Sequence, residues 1–237
     1  MKTPLILGHR GAPHAAIENT RASFLAALAQ GADGVELDVR LASCGTPIVC
    51  HDDTLQRWTG RATRVAKTSA WALSREDLGD QSSIITLSTA LELLAHHFVN
   101  IEIKTDDGDP AALAHAVSRC MSNHHHVRQR VIVSSFDPRT LNALKRIAPS
   151  IARGLLIEPT PTAPNLSSSM LRAVQPQAIH PHWSAGPERI RQLKSSGFDV
   201  HVWTVDDPTL GDVLASSGAT SLITNVPAAM IAHRQSA

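Results

Sequence analysis

Short apolar segments alternate with helix-like segments along most of this 237-residue chain. The short segments are rich in Val, Ile and Leu, as buried β-strands are, and the longer ones repeat apolar residues at helical spacing. The predicted strands are residues 5–8, 34–40, 100–104, 131–135, 154–157, 178–180, 200–205 and 222–224. The predicted helices start after Thr20, cover about 88–97, 110–122, 138–147, 167–174, 187–196 and 208–217, and end the chain after Pro227.

Eight strand–helix units restrict the choice of α/β fold. Strands that alternate with helices form parallel sheets, and eight such units close naturally as a (β/α)8 TIM barrel. A doubly wound open sheet is the alternative, but Gly8-x-x-Gly11 lacks the GxGxxG pattern of a dinucleotide site. We therefore predict that residues 1–237 form one TIM-barrel domain.

One segment after the second predicted strand interrupts the alternation. Residues 47–51 also resemble a strand, but only about six residues separate the two, whereas a parallel crossover needs a dozen or more. We therefore predict an antiparallel return arm that places Asp38 roughly opposite His51. Residues 52–86 lack sustained periodicity and are expected to form a short insertion or lid, with a short helix around residues 74–78.

Composition excludes several classes of partner. A net charge of +1 and an aromatic content of 3% do not favour nucleic-acid binding. The three cysteines lack the spacing of a zinc site or a disulfide framework. No apolar run approaches the roughly 18 residues that span a bilayer, and no signal peptide is evident. We therefore expect a cytoplasmic protein without stable membrane insertion, and its oligomeric state is left open.

Two predicted strands carry carboxylates on one face. Side chains alternate along a strand, so Glu36 and Asp38 share a face, and Glu102 and Lys104 repeat that spacing on the next barrel strand. Carboxylates inside a barrel are costly unless they are paired or bind a cation. Three carboxylates form an all-oxygen site suited to Mg²⁺ or Ca²⁺ rather than Zn²⁺. This pattern predicts a divalent cation site.

Basic and titratable groups are expected at the same end of the barrel. His9 and Arg10 follow the first strand, and His51 follows the return arm. Arg10 and Lys104 would balance the charge of a phosphate. His9 and His51 supply one group to take a proton and one to give it. Phosphodiester cleavage requires this combination of charge neutralisation and proton transfer.

Eight short sequence blocks occur together in this chain. In order they are His9-Arg10-Gly11, Glu18-Asn19-Thr20, GADGVELDV at 31–39, PIVCHDDTL at 47–55, NIEIK at 100–104, Ser134-Ser135-Phe136, Trp203-Thr204-Val205 and Thr224-Asn225-x-Pro227. The ordered set covers nearly the whole chain and resembles the glycerophosphodiester phosphodiesterase family. One departure is Asp206, which stands where asparagine is frequent in the family.

The resemblance implies a TIM-barrel hydrolase that splits small-molecule glycerophosphodiesters into sn-glycerol 3-phosphate and an alcohol. It also implies a set of roles for individual residues, with a divalent cation, Mg²⁺ or Ca²⁺, as the cofactor. The matching metal ligands are Glu36, Asp38 and Glu102, the matching general acid and base are His9 and His51, and the matching phosphate contacts are Arg10 and Lys104. The insertion corresponds to the family's small capping element.

Two aromatic residues complete the candidate site. Phe136 and Trp203 lie at strand ends, where they can contact substrate or belong to the barrel core. Two rival functions stay open: a lipid phosphodiesterase of the lysophospholipase D type, and a non-catalytic barrel that binds phosphorylated ligands. The first would need a membrane-docking surface that the sequence does not show. The second would predict loss of at least one catalytic group, and all are present.

Overall fold

The computed structural model describes residues 3–105, 109–158 and 166–236. The strands in these residues are β1 Leu5–His9, β2 Gly34–Leu41, β3 Pro47–Val49, β4 Phe98–Ile103, β5 Val131–Ser135, β6 Ala152–Ile157, β7 Ala178–Pro181, β8 Asp199–Val202 and β9 Ser221–Thr224. All of them except β3 are parallel, and they close because β1 pairs with both β2 and β9. The predicted (β/α)8 barrel is confirmed.

Helices surround this barrel on the outside, and two further short helices, the second and third in chain order, lie in the insertion. Within the described residues they are α1 Arg21–Ala29, α2 Gln56–Thr59, α3 Ala70–Leu73, α4 Leu87–Leu93, α5 Pro110–Ser122, α6 Pro138–Ile147, α7 Ser168–Val174, α8 Gly186–Ser195, α9 Pro208–Ser216 and α10 Pro227–Ser236. Asp-Pro pairs open α5, α6 and α9. In each, the aspartate accepts a backbone hydrogen bond while the proline pre-sets the first helical turn.

The two faces of β2 show how the sequence builds the barrel. Val35, Leu37 and Val39 have no exposed surface and pack outward against the helices. Burying each such side chain contributes roughly 1.5–3 kcal/mol to folding. The alternate residues, Glu36 and Asp38, point into the barrel, as the strand's period of two requires. The apolar contacts outside therefore hold a polar interior in place.

The return arm is present, with a register one residue from the prediction. Strand β3 pairs antiparallel with β2, with Val39 facing Val49. The backbone N–H of Cys50 donates to the carbonyl of Asp38 at 3.0 Å. Asp38 therefore lies opposite Cys50, and His51 is the next residue. The turn at the end of β2 sets this register, because pairing continues by one residue on each strand at every step.

The insertion has a small apolar core of its own. Leu55, Val65 and Leu73 have at most 1% exposed surface and pack against Ile48 of β3. This cluster holds residues 52–86 against the barrel end although they contain little regular structure.

The prediction of a helix around residues 74–78 is wrong. The helix lies earlier, at α3, because the Ser69 side chain caps its start by accepting from the N–H of Ala72 at 3.2 Å. It ends at Leu73, with Ser74 as its C-cap, and Asp77 then forms a turn by accepting from the N–H of Gly79 at 2.9 Å.

Three predicted boundaries also shift. Helix α4 stops at Leu93 rather than near residue 97, because Phe98 already pairs with Gly34 and the chain must leave the helix before that. Strand β4 ends at Ile103, so Lys104 follows it, and β8 ends at Val202, so Trp203 lies beyond it. Both side chains thereby reach the barrel rim.

The lengths of the helices bear on membrane spanning. The longest helix in the described residues, α5, has 13 residues, or about 20 Å at 1.5 Å per residue, while a bilayer core is about 30 Å thick. Among residues 3–105, 109–158 and 166–236, no helix has both the length and the apolar character to cross a membrane.

Candidate active site

Strand register brings the predicted acidic groups together at the carboxyl ends of the barrel strands. His9 of β1 is level with Glu36 of β2, and Asp38 of β2 is level with Glu102 of β4. Residues that are level on neighbouring parallel strands project into the barrel side by side. The active sites of TIM barrels lie at this end.

The three carboxylates form one buried cluster. Glu36, Asp38 and Glu102 each offer an oxygen within 4.8 Å of the others, and their exposed fractions are 3%, 1% and 9%. Oε1 of Glu36 has no hydrogen-bond partner among the described residues. A buried, unpartnered oxygen is costly unless something binds it. The donor set and this free oxygen fit a hard divalent cation.

The three carboxyl groups of the cluster have pKa values shifted in different directions. Burial and the neighbouring Asp38 raise the pKa of Glu36 well above its usual range, and the same two causes raise that of Glu102 to about 7. Against the effect of burial, Lys104 and Arg10 hold the pKa of Asp38 well below its usual range. The cluster therefore retains protons near neutral pH that a cation would displace.

Two basic side chains, Lys104 and Arg10, form ion pairs with the cluster. Nζ of Lys104 lies 3.2 Å from Oδ1 of Asp38 and 2.5 Å from Oε1 of Glu102. Nε of Arg10 lies 3.1 Å from Oδ2 of Asp38, and its NH1 group donates to Glu18 at 2.8 Å. Both side chains are largely buried, so these pairs are weakly screened by solvent.

The loop after β1 positions Arg10. Arg10 itself has a left-handed backbone, with φ 56°, and the next residue, Gly11, has φ 93°. A side chain on Gly8 would begin 2.2 Å from the carbonyl oxygen of Gly11, so the tight turn requires glycine there. Asn19 closes the loop by accepting from the N–H of Asp38 at 3.2 Å and donating to its carboxylate at 2.8 Å.

Hydrogen bonds determine which nitrogen of His9 is free. Nδ2 of Asn225 donates to Asp206 at 2.8 Å, so Oδ1 of Asn225 is an acceptor, and it lies 2.7 Å from Nδ1 of His9. Nδ1 therefore carries the hydrogen. Nε2 is left facing the acidic cluster, 3.9 Å from Glu36. Burial and the nearby charge of Arg10 lower the pKa of His9.

His51 has the same tautomer through a different partner. Its Nδ1 lies 2.7 Å from the carboxylate of Asp52, which can only accept when ionised. Although burial opposes it, hydrogen bonds from His51 and Arg57 lower the pKa of Asp52. Burial lowers the pKa of His51 itself. Arg40 of β2 donates from Nε to the backbone carbonyl of His51 at 2.7 Å.

Phe136 and Trp203 lie together at the rim. Their ring centroids are 5.6 Å apart in an edge-to-face arrangement, and the Trp203 ring also meets His182 edge to face at 5.0 Å. The indole N–H of Trp203 donates to the carbonyl of His180 at 2.9 Å, which satisfies its one polar group. The two rings form an apolar wall at the mouth.

Two buried histidines stack inside the barrel, a contact that the sequence alone does not predict. The rings of His180 and His201 stack with centroids 4.6 Å apart, and Nδ1 of His201 lies 2.7 Å from the Ser221 hydroxyl. Burial lowers the pKa of His201 to about 4 and that of His180 well below its usual value. A side chain on Gly154 would begin 2.2 Å from Nε2 of His180, so that glycine provides the space for the ring.

The arrangement also includes partners that spacing alone does not reveal. Asp52 could have been suggested by its place beside His51, and Asn225 by the ordered sequence blocks. Arg57 had no such signal: it lies in the insertion and reaches Glu18, 39 residues earlier, at 2.6 Å. That contact depends on how the insertion folds.

Comparison with known sequences agrees with this geometry. The model of the Glycerophosphoryl diester phosphodiesterase family matches residues 9–229. A glycerophosphodiester phosphodiesterase of Caldanaerobacter subterraneus subsp. tengcongensis is 31% identical, and the match covers 98% of this chain and 97% of that protein.

Comparison with solved structures gives the same result. A phosphodiesterase of Oleispira antarctica in complex with the product sn-glycerol-3-phosphate matches with a TM-score of 0.86 and 28% identity, over 98% of this chain and 97% of that one. A glycerophosphodiester phosphodiesterase of Thermotoga maritima matches with a TM-score of 0.81 and 28% identity, over 98% and 99% of the two chains. By sequence and by fold, the chain belongs to the glycerophosphoryl diester phosphodiesterase family and is a phosphodiesterase.

Proposed function

We propose that this enzyme hydrolyses glycerophosphodiesters to sn-glycerol 3-phosphate and an alcohol, with a bound divalent cation and two histidines as general acid and base. The observation that carries the proposal is the meeting of three buried carboxylates with two histidines at one end of the barrel. His9 and His51 each use Nδ1 in a hydrogen bond, which leaves Nε2 available for proton transfer.

Substrate binding follows from the charges and the apolar wall. Arg10 and Lys104 are the phosphate contacts, since an anionic diester would be attracted by their charges. Phe136 and Trp203 would contact the carbon atoms of the glycerol part. The Oleispira antarctica relative is described with sn-glycerol-3-phosphate bound, which supports the same product class for this chain.

The two histidines accept and donate the protons that the reaction transfers. One takes a proton from the attacking water as the water oxygen bonds to phosphorus. The other gives a proton to the oxygen of the leaving alcohol as the phosphorus–oxygen bond breaks. Attack by the glycerol 2-hydroxyl, followed by opening of a cyclic phosphate by water, uses the same two transfers in each step.

Glu36, Asp38 and Glu102 would hold the cation, which we propose is Mg²⁺ or Ca²⁺. When bound, such an ion polarises a phosphoryl oxygen and stabilises the charge that develops on it. Lys104 bridges Asp38 and Glu102, so a bound ion would share these two carboxylates with its ammonium group.

The cation role is tested by chelation. Release of glycerol 3-phosphate from glycerophosphocholine is measured before and after thorough EDTA treatment, and after return of Mg²⁺ or Ca²⁺. We expect activity to be lost and then restored by one of the ions. Glu36→Gln should remain inactive with either ion, while Glu188→Gln, which changes an exposed carboxylate on α8, should behave as the wild type. Full activity after chelation contradicts the proposal.

The remaining parts of the proposal concern organisation and substrate range. We propose that the chain is one domain and that residues 52–86 cover the site as a lid. We also propose that the enzyme acts in lipid and glycerol metabolism in the cytoplasm. The free thiols Cys44, Cys50 and Cys120 would persist in that compartment. A panel of diesters with different alcohols distinguishes this activity from that of a lysophospholipase D. A preference for a phosphodiester whose glycerol part carries an acyl chain, over glycerophosphocholine, would favour the lysophospholipase D.

A further inference from the structure

A chain of side chains that are alternately basic and acidic runs from the return arm to the carboxylate cluster. His51 pairs with Asp52, Asp52 with Arg57, Arg57 with Glu18, and Glu18 with Arg10, at 2.7, 2.7, 2.6 and 2.8 Å. Arg10 then meets Asp38 at 3.1 Å. Arg57 is the one member that comes from a helix of the insertion, α2, and it lies at the middle of the chain.

Arg57 contacts the carboxylates of Asp52 and Glu18 at the same time. Its Nε donates to Oδ2 of Asp52 at 2.7 Å, while its NH2 and NH1 groups donate to the two oxygens of Glu18 at 2.6 and 3.2 Å. Only a planar guanidinium group presents donors to two carboxylates in this way. Its own plane is supported by Trp58, whose ring centroid is 4.4 Å from the guanidinium carbon.

Asp52 and Glu18 each have one other side-chain partner in the described residues. Both of those partners have proposed roles in catalysis or phosphate binding. The second oxygen of Asp52 lies 2.7 Å from Nδ1 of His51. Glu18 accepts from Arg10 at 2.8 Å. A carboxylate that accepts hydrogen bonds from Arg57 has a restricted orientation. The His51 or Arg10 side chain that pairs with the same carboxylate is therefore restricted as well.

We propose that Arg57 is a positioning residue of this enzyme, which orients His51 through Asp52 and Arg10 through Glu18 and thereby makes the insertion part of the active site. This inference rests on the proposed function, because it assumes that His51 transfers a proton. It assigns the insertion a role in catalysis beyond covering the mouth.

A merely structural role for Arg57 is disfavoured by how the insertion is attached. Leu55, immediately before α2, is fully buried in the apolar cluster with Val65 and Leu73. Burial of such apolar side chains is the main contribution to stability, whereas an ion pair of a side chain as exposed as Arg57, at 42%, contributes little. Loss of Arg57 should therefore leave the insertion in place.

Kinetics of Arg57→Ala provide the first part of the test. We expect kcat to fall at least tenfold, since general acid–base catalysis typically contributes 10²–10⁴-fold and depends on alignment. Arg61→Ala is the matched control, because Arg61 lies in the same insertion, is 65% exposed and pairs with Glu76 away from the site. It should stay within twofold of wild type. Equal effects of the two substitutions overturn the inference.

A double-mutant cycle tests the route through Asp52. Because Arg57 is proposed to act through Asp52 as well as through Glu18, Arg57→Ala combined with Asp52→Ala should lower kcat by clearly less than the product of the two single losses. Fully multiplicative losses overturn that route. If Arg57→Ala fails to fold, Arg57→Lys, which keeps the charge but reaches only one carboxylate, takes its place in the cycle.

Nitrogen chemical shifts of labelled histidine provide a readout apart from activity. At pH 8 the ring of His51, assigned with His51→Asn, should show one tautomer with hydrogen on Nδ1 in the wild type and a mixture in Arg57→Ala. An unchanged tautomer together with unchanged kcat overturns the inference. Wild-type activity in His51→Ala would instead overturn the proposed function, so the two failures are distinguishable.

Discussion

Nδ1 of His9 lies 2.7 Å from Oδ1 of Asn225, although 216 residues separate them in sequence. Closure of the barrel between β1 and β9 brings them together. The amide of Asn225 is itself oriented by Asp206, which accepts from its Nδ2 at 2.8 Å and from its backbone N–H at 2.7 Å. The residue that follows the last strand, β9, thus determines how the first histidine of the chain faces the carboxylates.

Asn225→Ala should lower kcat by about 10–100-fold, because His9 would lose the acceptor that selects its tautomer while keeping its side chain. Steady-state kinetics on glycerophosphocholine measure the effect. Asn142→Ala, which removes an amide from α6 outside the barrel, is the control and should keep the wild-type rate. A loss confined to KM would show that Asn225 contributes to substrate binding rather than to the orientation of His9.

Substitution of the histidines tests the proton transfers directly. His9→Ala and His51→Ala should each lower kcat by about 10²–10⁴-fold, the range typical of general acid–base catalysis. His14→Ala, at an exposed position in the loop after β1, provides the control. A wild-type rate in either of the first two variants would remove that histidine from the mechanism.

Much of this site could be predicted from local pattern. The period of two along a strand places Glu36 and Asp38 on one face, and the barrel register then brings Glu102 level with Asp38. The alternation of strands and helices was sufficient for the fold, because parallel strands must be joined by crossovers. These features depend on spacing along the chain, which the sequence contains directly.

Contacts between distant segments could not be predicted in the same way. Arg57 reaches Glu18 only because the insertion folds back over the loop after β1, and no periodicity in residues 52–86 indicates that path. The stacking of His180 on His201 likewise depends on the exact stagger of β7 and β8 and on the space above Gly154. Both arise from tertiary packing.

Binding of a divalent cation should release protons. Burial and the charge of Asp38 raise the pKa of Glu102 to about 7, so below pH 7 this carboxyl group holds a proton that a cation must displace. Affinity should therefore rise as pH increases toward 7, by up to tenfold per unit for each proton released. Titration calorimetry at pH 6.5 in two buffers of different ionisation enthalpy measures the number released, and Glu102→Gln should lower it. Binding without proton release would contradict the raised pKa.

Acid stability should depend on the histidine pair inside the barrel. Burial lowers the pKa of His201 to about 4, while an unfolded chain has a histidine pKa of about 6.5. As pH falls below 6.5 the unfolded state takes up a proton that the folded state does not, so the free energy of unfolding decreases between pH 6.5 and 4.

His201→Asn should make that dependence shallower. Each proton bound only by the unfolded state changes stability by about 1.4 kcal/mol per pH unit, and the variant lacks one of the two buried histidines. Denaturant unfolding at several pH values between 6.5 and 4.5 measures the slope, with His14→Asn as a surface control. Parallel slopes for wild type and His201→Asn would mean that the His201 ring accepts a proton inside the folded barrel, against the lowered pKa that its burial beside His180 produces.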